Sequence, residues 1–452
     1  MIDKPKKKIM KPVRYSLLVM MAVVLTFTQT TQAQKTWSLE KCIDYALENN
    51  INIKRQKVGA DQATNNHKQA RRNMLPSASA NVSHSYNFGK TLNRDIYEYV
   101  NQEFQYGDAS ASTSVTVFDG LRKINTIKKR KYEMLAQLQR IEEARYDVTM
   151  NVVTYYLMVL SAMEQKDIRE EQLAVTMEQI EQVEQQIQVG KKAKGELLEI
   201  KAQAASERAD LTAAKNELDM AYVDLTQVMN LDTTGQFNIE MPENLQITGK
   251  QNIEPTDSVY SRALSDFPSI QRARYELESA RKNLKVTKGT YMPELSFGAG
   301  ISSYFSSLSE PTYIRQMRDI NVRTGLQLSL SIPIFNQFNR RTTVANARLD
   351  VEDNQLMLQE QKQNLYKKIQ RAHNEARAAF ENYQANREAL ESYQQAFDYA
   401  EERYEVGLVD AVEYRIAKND LARARSNLSQ SKFNFIFRLK ILEFYMGKAM
   451  EI

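Results

Sequence analysis

The side chains that ordinarily carry chemistry are few and scattered in this sequence. His67, His84 and His373 fall in separate segments with no second ligand at metal spacing, so they read as solvated or packed histidines. Cys42 is the only cysteine, which rules out an intramolecular disulfide. Gly89-Lys90-Thr91 matches the end of a phosphate-binding loop, but that motif needs a glycine where His84 stands, and no helix follows it. Most carboxylates sit three or four residues from Lys or Arg, the pattern of a solvated helix face and not of an acid–base pair. No catalytic set, cofactor site or metal site emerges, so the reading is of a protein that is not an enzyme. Two short clusters remain. Lys191, Lys192 and Lys194 follow Val189-Gly190, while Asp410 and Glu413 follow Val406-Gly407. The segment 410–413 fits a capping box, with Asp410 as N-cap and Glu413 at N3. The same acids could instead pair with the lysines, and the sequence leaves both roles open.

Both clusters lie at the ends of very long helical runs. Neither Gly nor Pro occurs between Leu121 and Val189, or between Asn336 and Val406. Apolar residues recur at alternating steps of four and three, as in Met134, Leu138, Ile141, Val148, Val152 and Val159. Each run of roughly 70 residues would make a rod about 100 Å long. Gly190 and Gly407 should end the rods, since glycine is the usual residue past a helix C-terminus. Further helical runs, Glu196 to Leu231 and Val412 to Met446, then fold back as antiparallel hairpins.

The two hairpins are copies. Leu75-Pro76 recurs as Met292-Pro293, Val117-Phe118 as Ile334-Phe335, and Val189-Gly190 as Val406-Gly407, each 217 residues apart. Ahead of each rod the periodicity changes to two. Ala78 to Phe88, Ser110 to Val117, Leu295 to Ser302 and Val322 to Ile332 alternate apolar with small polar residues, over lengths suited to tilted membrane strands. Pro76 and Pro293 end the helices Ile53–Met74 and Ile270–Tyr291, and 89–108 and 306–320 read as polar loops. The expected class is mainly α with a small antiparallel β part, built as two tandem repeats, each a long helical hairpin plus two strands. The repeats span 34–231 and 257–447, around a connector at 232–256 and before a tail at 448–452.

Residues 1–33 read as a secretory signal peptide: Lys4, Lys6, Lys7, Lys8, Lys11 and Arg14, then an apolar stretch from Leu17 to Phe27, then small residues ending at Ala33. That stretch is too short for a bilayer, which needs about 20 apolar residues. This segment carries six basic residues and one Asp, so the net +5 of the whole chain resides in it. The remainder is neutral, which removes the case for a nucleic-acid partner. Four strands cannot close a barrel alone, because an open sheet edge in lipid leaves backbone groups unpaired. Membrane insertion therefore demands sister subunits. An exported coiled-coil scaffold or surface fibre without a pore is the competing reading, and a cytosolic tether a third that the leader disfavours.

The order helix, Pro, strand, loop, strand, Phe, long helix, Val-Gly, helix, written twice, resembles the TolC-type outer-membrane efflux protein family. Leu39-Glu40-Lys41-Cys42-Ile43-Asp44-Tyr45-Ala46-Leu47-Glu48-Asn49-Asn50 is similar to the family's start, and Ser331-Ile332-Pro333-Ile334-Phe335 and Tyr404-Glu405-Val406-Gly407 to its recurring signatures. The resemblance implies a homotrimer with a twelve-stranded β-barrel in the outer membrane and an α-helical tunnel in the periplasm. It implies outer-membrane lipid around the barrel. It further implies docking of the tip turns Val189, Gly190, Val406 and Gly407 on a periplasmic adaptor, and an inner-membrane pump of RND or ABC type, for efflux or type I secretion. The family closes its tunnel by ionic contacts near the second Val-Gly turn. Glu413 matches the first acidic position and Tyr404 a tyrosine of the closure. Ile416 and Val409 depart from the pattern at a second acid and a base. Lys191, Lys192 and Lys194 are the substitute bases, so the gate candidates are Tyr404, Asp410, Glu413 and these three lysines.

Overall fold

A computed structural model of the chain describes residues 36–93, 96–101, 103–231, 237–241 and 254–448. The expected leader and most of the connector lie outside these. In chain order the elements are β1 (Thr36–Trp37), α1 (Leu39–Asn49), α2 (Ile51–Arg72), β2 (Ser77–Asn87), β3 (Lys90–Asn93), β4 (Glu98–Asn101) and β5 (Phe104–Phe118). The first hairpin follows as α3 (Arg122–Gln188) and α4 (Lys194–Met229), then β6 (Asn238–Ile239). The second half holds α5 (Thr256–Asp266), α6 (Pro268–Gly289), β7 (Glu294–Ser306), β8 (Arg323–Ser331), α7 (Asn339–Glu405) and α8 (Ala411–Tyr445).

The duplication read from sequence has a structural counterpart. The helices α2 and α6 each have 22 residues, and α3 and α7 each have 67, with starts and ends displaced by 217. Core positions follow the same offset. Cys42, Ala46, Ile53, Val148, Val152 and Leu225 are buried in one cluster, and Val259, Ala263, Ile270, Leu365, Ile369 and Leu442 take the equivalent places in the other. Cys42 is therefore a small core residue standing where the second repeat uses Val259. Burial pushes its thiol up to about 12, which makes it unreactive at neutral pH.

The first cluster is larger because the connector returns to it. β6 pairs in parallel with β1, and Phe237 meets Trp37 edge to face at 5.3 Å. The Tyr156 hydroxyl donates to the Glu240 carbonyl at 2.7 Å, pinning this strap to the middle of α3. A connector expected only to link the repeats thus fills the core of the first.

Two segments read as plain loops are structured. β3 and β4 form an antiparallel hairpin, with Leu92 opposite Tyr99. β5 begins at Phe104, six residues earlier than the alternation suggested, because Gly107 breaks the pattern without breaking the strand. Gly107 also lies close to the Ser83 carbonyl, where a Cβ would stand only 3.2 Å from that oxygen. In the other loop a short helical turn, Tyr313–Arg315, runs into a π-turn, Gln316–Ile320. The buried Gln316 amide organises it, accepting from the Ser306 N–H at 3.0 Å and donating to the Pro311 carbonyl at 2.7 Å.

Each strand passes into its rod through two residues of positive φ, Gly120 and Leu121 in the first repeat and Gln337 and Phe338 in the second. Only the first junction needs glycine. A Cβ on Gly120 would lie 2.5 Å from the Gly289 carbonyl oxygen and 2.6 Å from Met292 Cβ, because the end of α6 packs directly on it. Gly120→Ala should therefore destabilise the fold by about 1–3 kcal/mol, through overlap and left-handed strain. Gln337→Ala should be tolerated. Thermal unfolding of the purified protein in detergent checks the contrast.

Candidate functional site

Four strands form one antiparallel sheet in the order β2-β5-β7-β8, leaving one edge each of β2 and β8 unpaired among the described residues. Register sorts its faces. Leu326, Leu328 and Leu330 stand opposite Ala299, Phe297 and Leu295, and beyond them Thr113 and Val115 continue the apolar face. The other face is polar and rich in serine and glycine, with Asp108, Glu294 and Arg323 toward its two ends. Ser79, Ser112, Gly300 and Gly325 form one row, and Ser77, Ser114, Gly298 and Gln327 the next. Hydroxyls face each other along it, Ser77 to Ser114 and Ser79 to Ser112, both at 3.2 Å. The leucines of β8 are 59–79% exposed, although their strand is regular. Such a sheet has one face suited to hydrocarbon and one to water.

At the far end of the rods the helices reverse at Gly190 and Gly407, whose φ values are +76° and +77°. The turns share one hydrogen-bonding pattern. Gly190 N–H donates to Ile187 O and Lys191 N–H to Gln186 O, at 3.0 and 2.8 Å. Gly407 N–H donates to Tyr404 O and Leu408 N–H to Arg403 O, at 3.1 and 2.8 Å. This is the six-to-one closure that satisfies the last carbonyls of a helix. Open space surrounds both glycines. Val189, Val406 and Leu408 project outward, each about 70% exposed. Gly407→Val would thus strain the turn by about 1–2 kcal/mol without a clash. The expected result is a tip more open to protease with an unchanged yield of folded protein, read by limited proteolysis beside circular dichroism.

Between the tips a clasp joins the two repeats. Lys192 Nζ donates to Glu196 and to the Tyr404 hydroxyl, and that hydroxyl donates to Glu196 Oε1 at 2.5 Å. The ammonium also lies 4.2 Å from the centre of the Tyr404 ring. Tyr404 stacks on Tyr414 at 4.8 Å, and Gln179 Nε2 donates to the Tyr414 hydroxyl at 2.5 Å. Burial and the hydrogen bond to Glu196 raise the Tyr404 pKa. Burial pushes Lys192 down, but its bonds to Glu196 and Tyr404 prevail and its pKa is raised. A cavity of about 380 Å³, lined by Gln179, Gln186, Lys192, Tyr404, Tyr414 and Lys418, opens behind the clasp.

Of the residues singled out from sequence, the fold brings Lys192 to Tyr404 and leaves the others apart. Asp410 caps α8, accepting from the Val412 and Glu413 N–H groups at 3.0 and 2.9 Å. Glu413 does not close the box. Its carboxylate turns to Arg403 of the same hairpin, at 3.1 Å. Lys191 and Lys194 are exposed at the first tip, away from both acids within the chain. Glu196 was missed, although the 217-residue offset maps it onto Glu413. Tyr414 and Lys418 gave no such signal, because aromatic and basic residues at helical spacing are usually core and surface.

The chain belongs to the outer membrane efflux protein family, whose model matches residues 42–231 and 259–447. It is an outer-membrane channel subunit of a tripartite efflux system, with its helical part in the periplasm. Outer membrane protein TolC of Escherichia coli (strain K12) is 22% identical over 439 residues, covering 94% of this chain and 84% of that protein. Outer membrane efflux protein BepC of Brucella suis biovar 1 (strain 1330) is 22% identical over 422 residues, with 93% and 87% covered. In fold the chain is similar to the crystal structure of the Campylobacter jejuni CmeC outer membrane channel, with a TM-score of 0.77 at 18% identity, covering 90% of this chain and 85% of that one.

Proposed function

We propose that the chain works as a homotrimer in which the free edge of β8 pairs with β2 of the next copy. Three four-stranded sheets then close a twelve-stranded barrel, with leucines toward lipid and the serine-rich face lining a polar bore. What carries this reading is the pair of open strand edges beside a mostly apolar sheet face, since unpaired backbone in hydrocarbon costs several kcal/mol per group. The helical packing has the same gap: α3 lies against α2 and α6, whereas α7 has only α6 on that layer. The α2 helix of a neighbouring copy supplies the missing partner.

The two hairpin tips form the periplasmic gate, held by the Lys192–Tyr404–Glu196 clasp. Val189, Gly190, Val406 and Gly407 dock on a periplasmic adaptor, which links the conduit to an inner-membrane pump of RND or ABC type. Transport through the channel is passive and needs no cofactor or catalytic residue of this chain. The test is oligomer mass in detergent combined with conductance in planar bilayers. A trimer with an ion-conducting pore supports the reading, and a monodisperse monomer, or a trimer that stays non-conducting when the clasp is broken by Tyr404→Phe, overturns it.

A further inference from the structure

The seam between the two hairpins of one chain changes character along its length. Near the middle of the rods α3 meets α8 through apolar contacts that include Val159, Leu160, Phe433 and Ile436. Toward the tips the contacts are polar. Ser426 Oγ donates to Gln165 Oε1 at 2.5 Å, Arg425 meets Glu171 at 3.2 Å, and Gln179 reaches Tyr414. Within this polar stretch sits Lys418, only 8% exposed. Its one hydrogen-bond partner among the described residues is Thr176 Oγ1, at 2.6 Å. No carboxylate stands within ion-pair distance among them.

The matching acid belongs to the other hairpin and is already satisfied there. Glu207 of α4, 2% exposed, accepts from Thr176, from Gln172 Nε2 at 3.1 Å and from Gln203 Nε2 at 3.0 Å. Thr176 and Gln172 lie on α3, so all three donors come from the first hairpin. Parting the hairpins breaks none of these three bonds to Glu207, while it returns the Lys418 ammonium to water. An ammonium with one neutral partner is costly to bury. Burial pushes the Lys418 pKa down, with the more distant Glu207 opposing. That cost attaches to the closed arrangement alone.

We propose that Lys418 is a built-in spring of the gate, a buried charge that keeps the closed seam metastable so that modest docking energy opens it. Thr176 sets its tension as the one group that partly satisfies the ammonium. The inference rests on the tips acting as the gate, which the Tyr404→Phe variant tests separately. The experiment is resting conductance of the full-length protein in planar bilayers, with detergent-resistant oligomer on unheated gels confirming assembly of each variant. Tyr404→Phe should raise resting conductance. Adding Lys418→Met, which keeps length and removes charge, should lower it again by about tenfold, because the burial cost of the lone ammonium is gone. Adding Thr176→Val instead should raise it further. Unchanged conductance in Tyr404→Phe alone would sink the gate reading. A leaky Tyr404→Phe that Lys418→Met leaves unchanged or makes leakier would sink the spring and spare the gate, because a merely structural lysine loosens the seam when lost. If Lys418→Met blocks assembly, Lys418→Leu takes its place, and failure of both to assemble also overturns the proposal, since the spring requires a seam that closes without the charge.

Discussion

Leu328→Arg should abolish the detergent-resistant oligomer, while Gln327→Arg, one residue away, should leave it intact. Leu328 stands at the middle of β8 opposite Phe297, on the apolar face, and is 69% exposed in the single chain. In a closed barrel that exposure is to lipid. An arginine near the bilayer midplane costs about 2–4 kcal/mol on this face, and a trimer bears it three times. Gln327 belongs to the row of Ser77, Ser114 and Gly298, which would face the bore of the proposed barrel, where a guanidinium remains hydrated. Unheated gels of membrane extracts read the result directly. Equal tolerance of the two would mean the leucine face does not meet lipid, and equal loss would mean β8 tolerates no charge for reasons unrelated to its faces.

The contrast between these neighbours was legible in the sequence, because period two assigns a face to every residue once register holds. The rods, the tip glycines and the 217-residue duplication were legible for a similar reason: each is a repeated pattern over many residues. What escaped lacked periodicity. Gly107 interrupts the alternation of β5 with no side chain, so the strand looked six residues shorter than it is. Of the connector's scattered apolar residues, Phe237 and Ile239 are the pair that reaches the core among the described residues, and two positions are too few to announce a strap. The contacts at the tips depend on side-chain placement that spacing does not encode. Spacing identified Asp410 as a cap, yet nothing in spacing says that Glu413 prefers Arg403, three-dimensionally adjacent across its own turn. Lys192 and Lys191 are adjacent lysines in sequence. Only the fold separates them, turning Lys192 into the clasp and Lys191 to solvent.

That separation leads to an ordered series at the tips. Lys192→Gln, Glu196→Gln and Tyr404→Phe should each open the resting channel more than Glu413→Gln does. The clasp groups are partly buried, with Lys192 and Glu196 side chains 22% and 20% exposed, whereas Glu413 is 55% exposed and its pairing with Arg403 stays within one hairpin. Hydrogen bonds to charged groups contribute about 1.5–3 kcal/mol each, against about 0–1 for an exposed ion pair. In the proposed trimer, three copies multiply the difference. Resting conductance should rise at least tenfold in the clasp variants and less than threefold in Glu413→Gln, since about 1.4 kcal/mol corresponds to a factor of ten. The sign of the pH response follows from Lys192. Its pKa is raised in the closed tip, so its contribution is fully present below the ordinary lysine value and is lost only as pH rises through the raised one. Titration of Lys192 therefore leaves conductance flat through the neutral range and promotes opening in strong alkali. High salt should open the wild type little, because it screens exposed charges far more than partly buried ones. A Glu413→Gln channel that opens as readily as Tyr404→Phe would move the gate from the inter-repeat clasp to the exposed rim of the second turn.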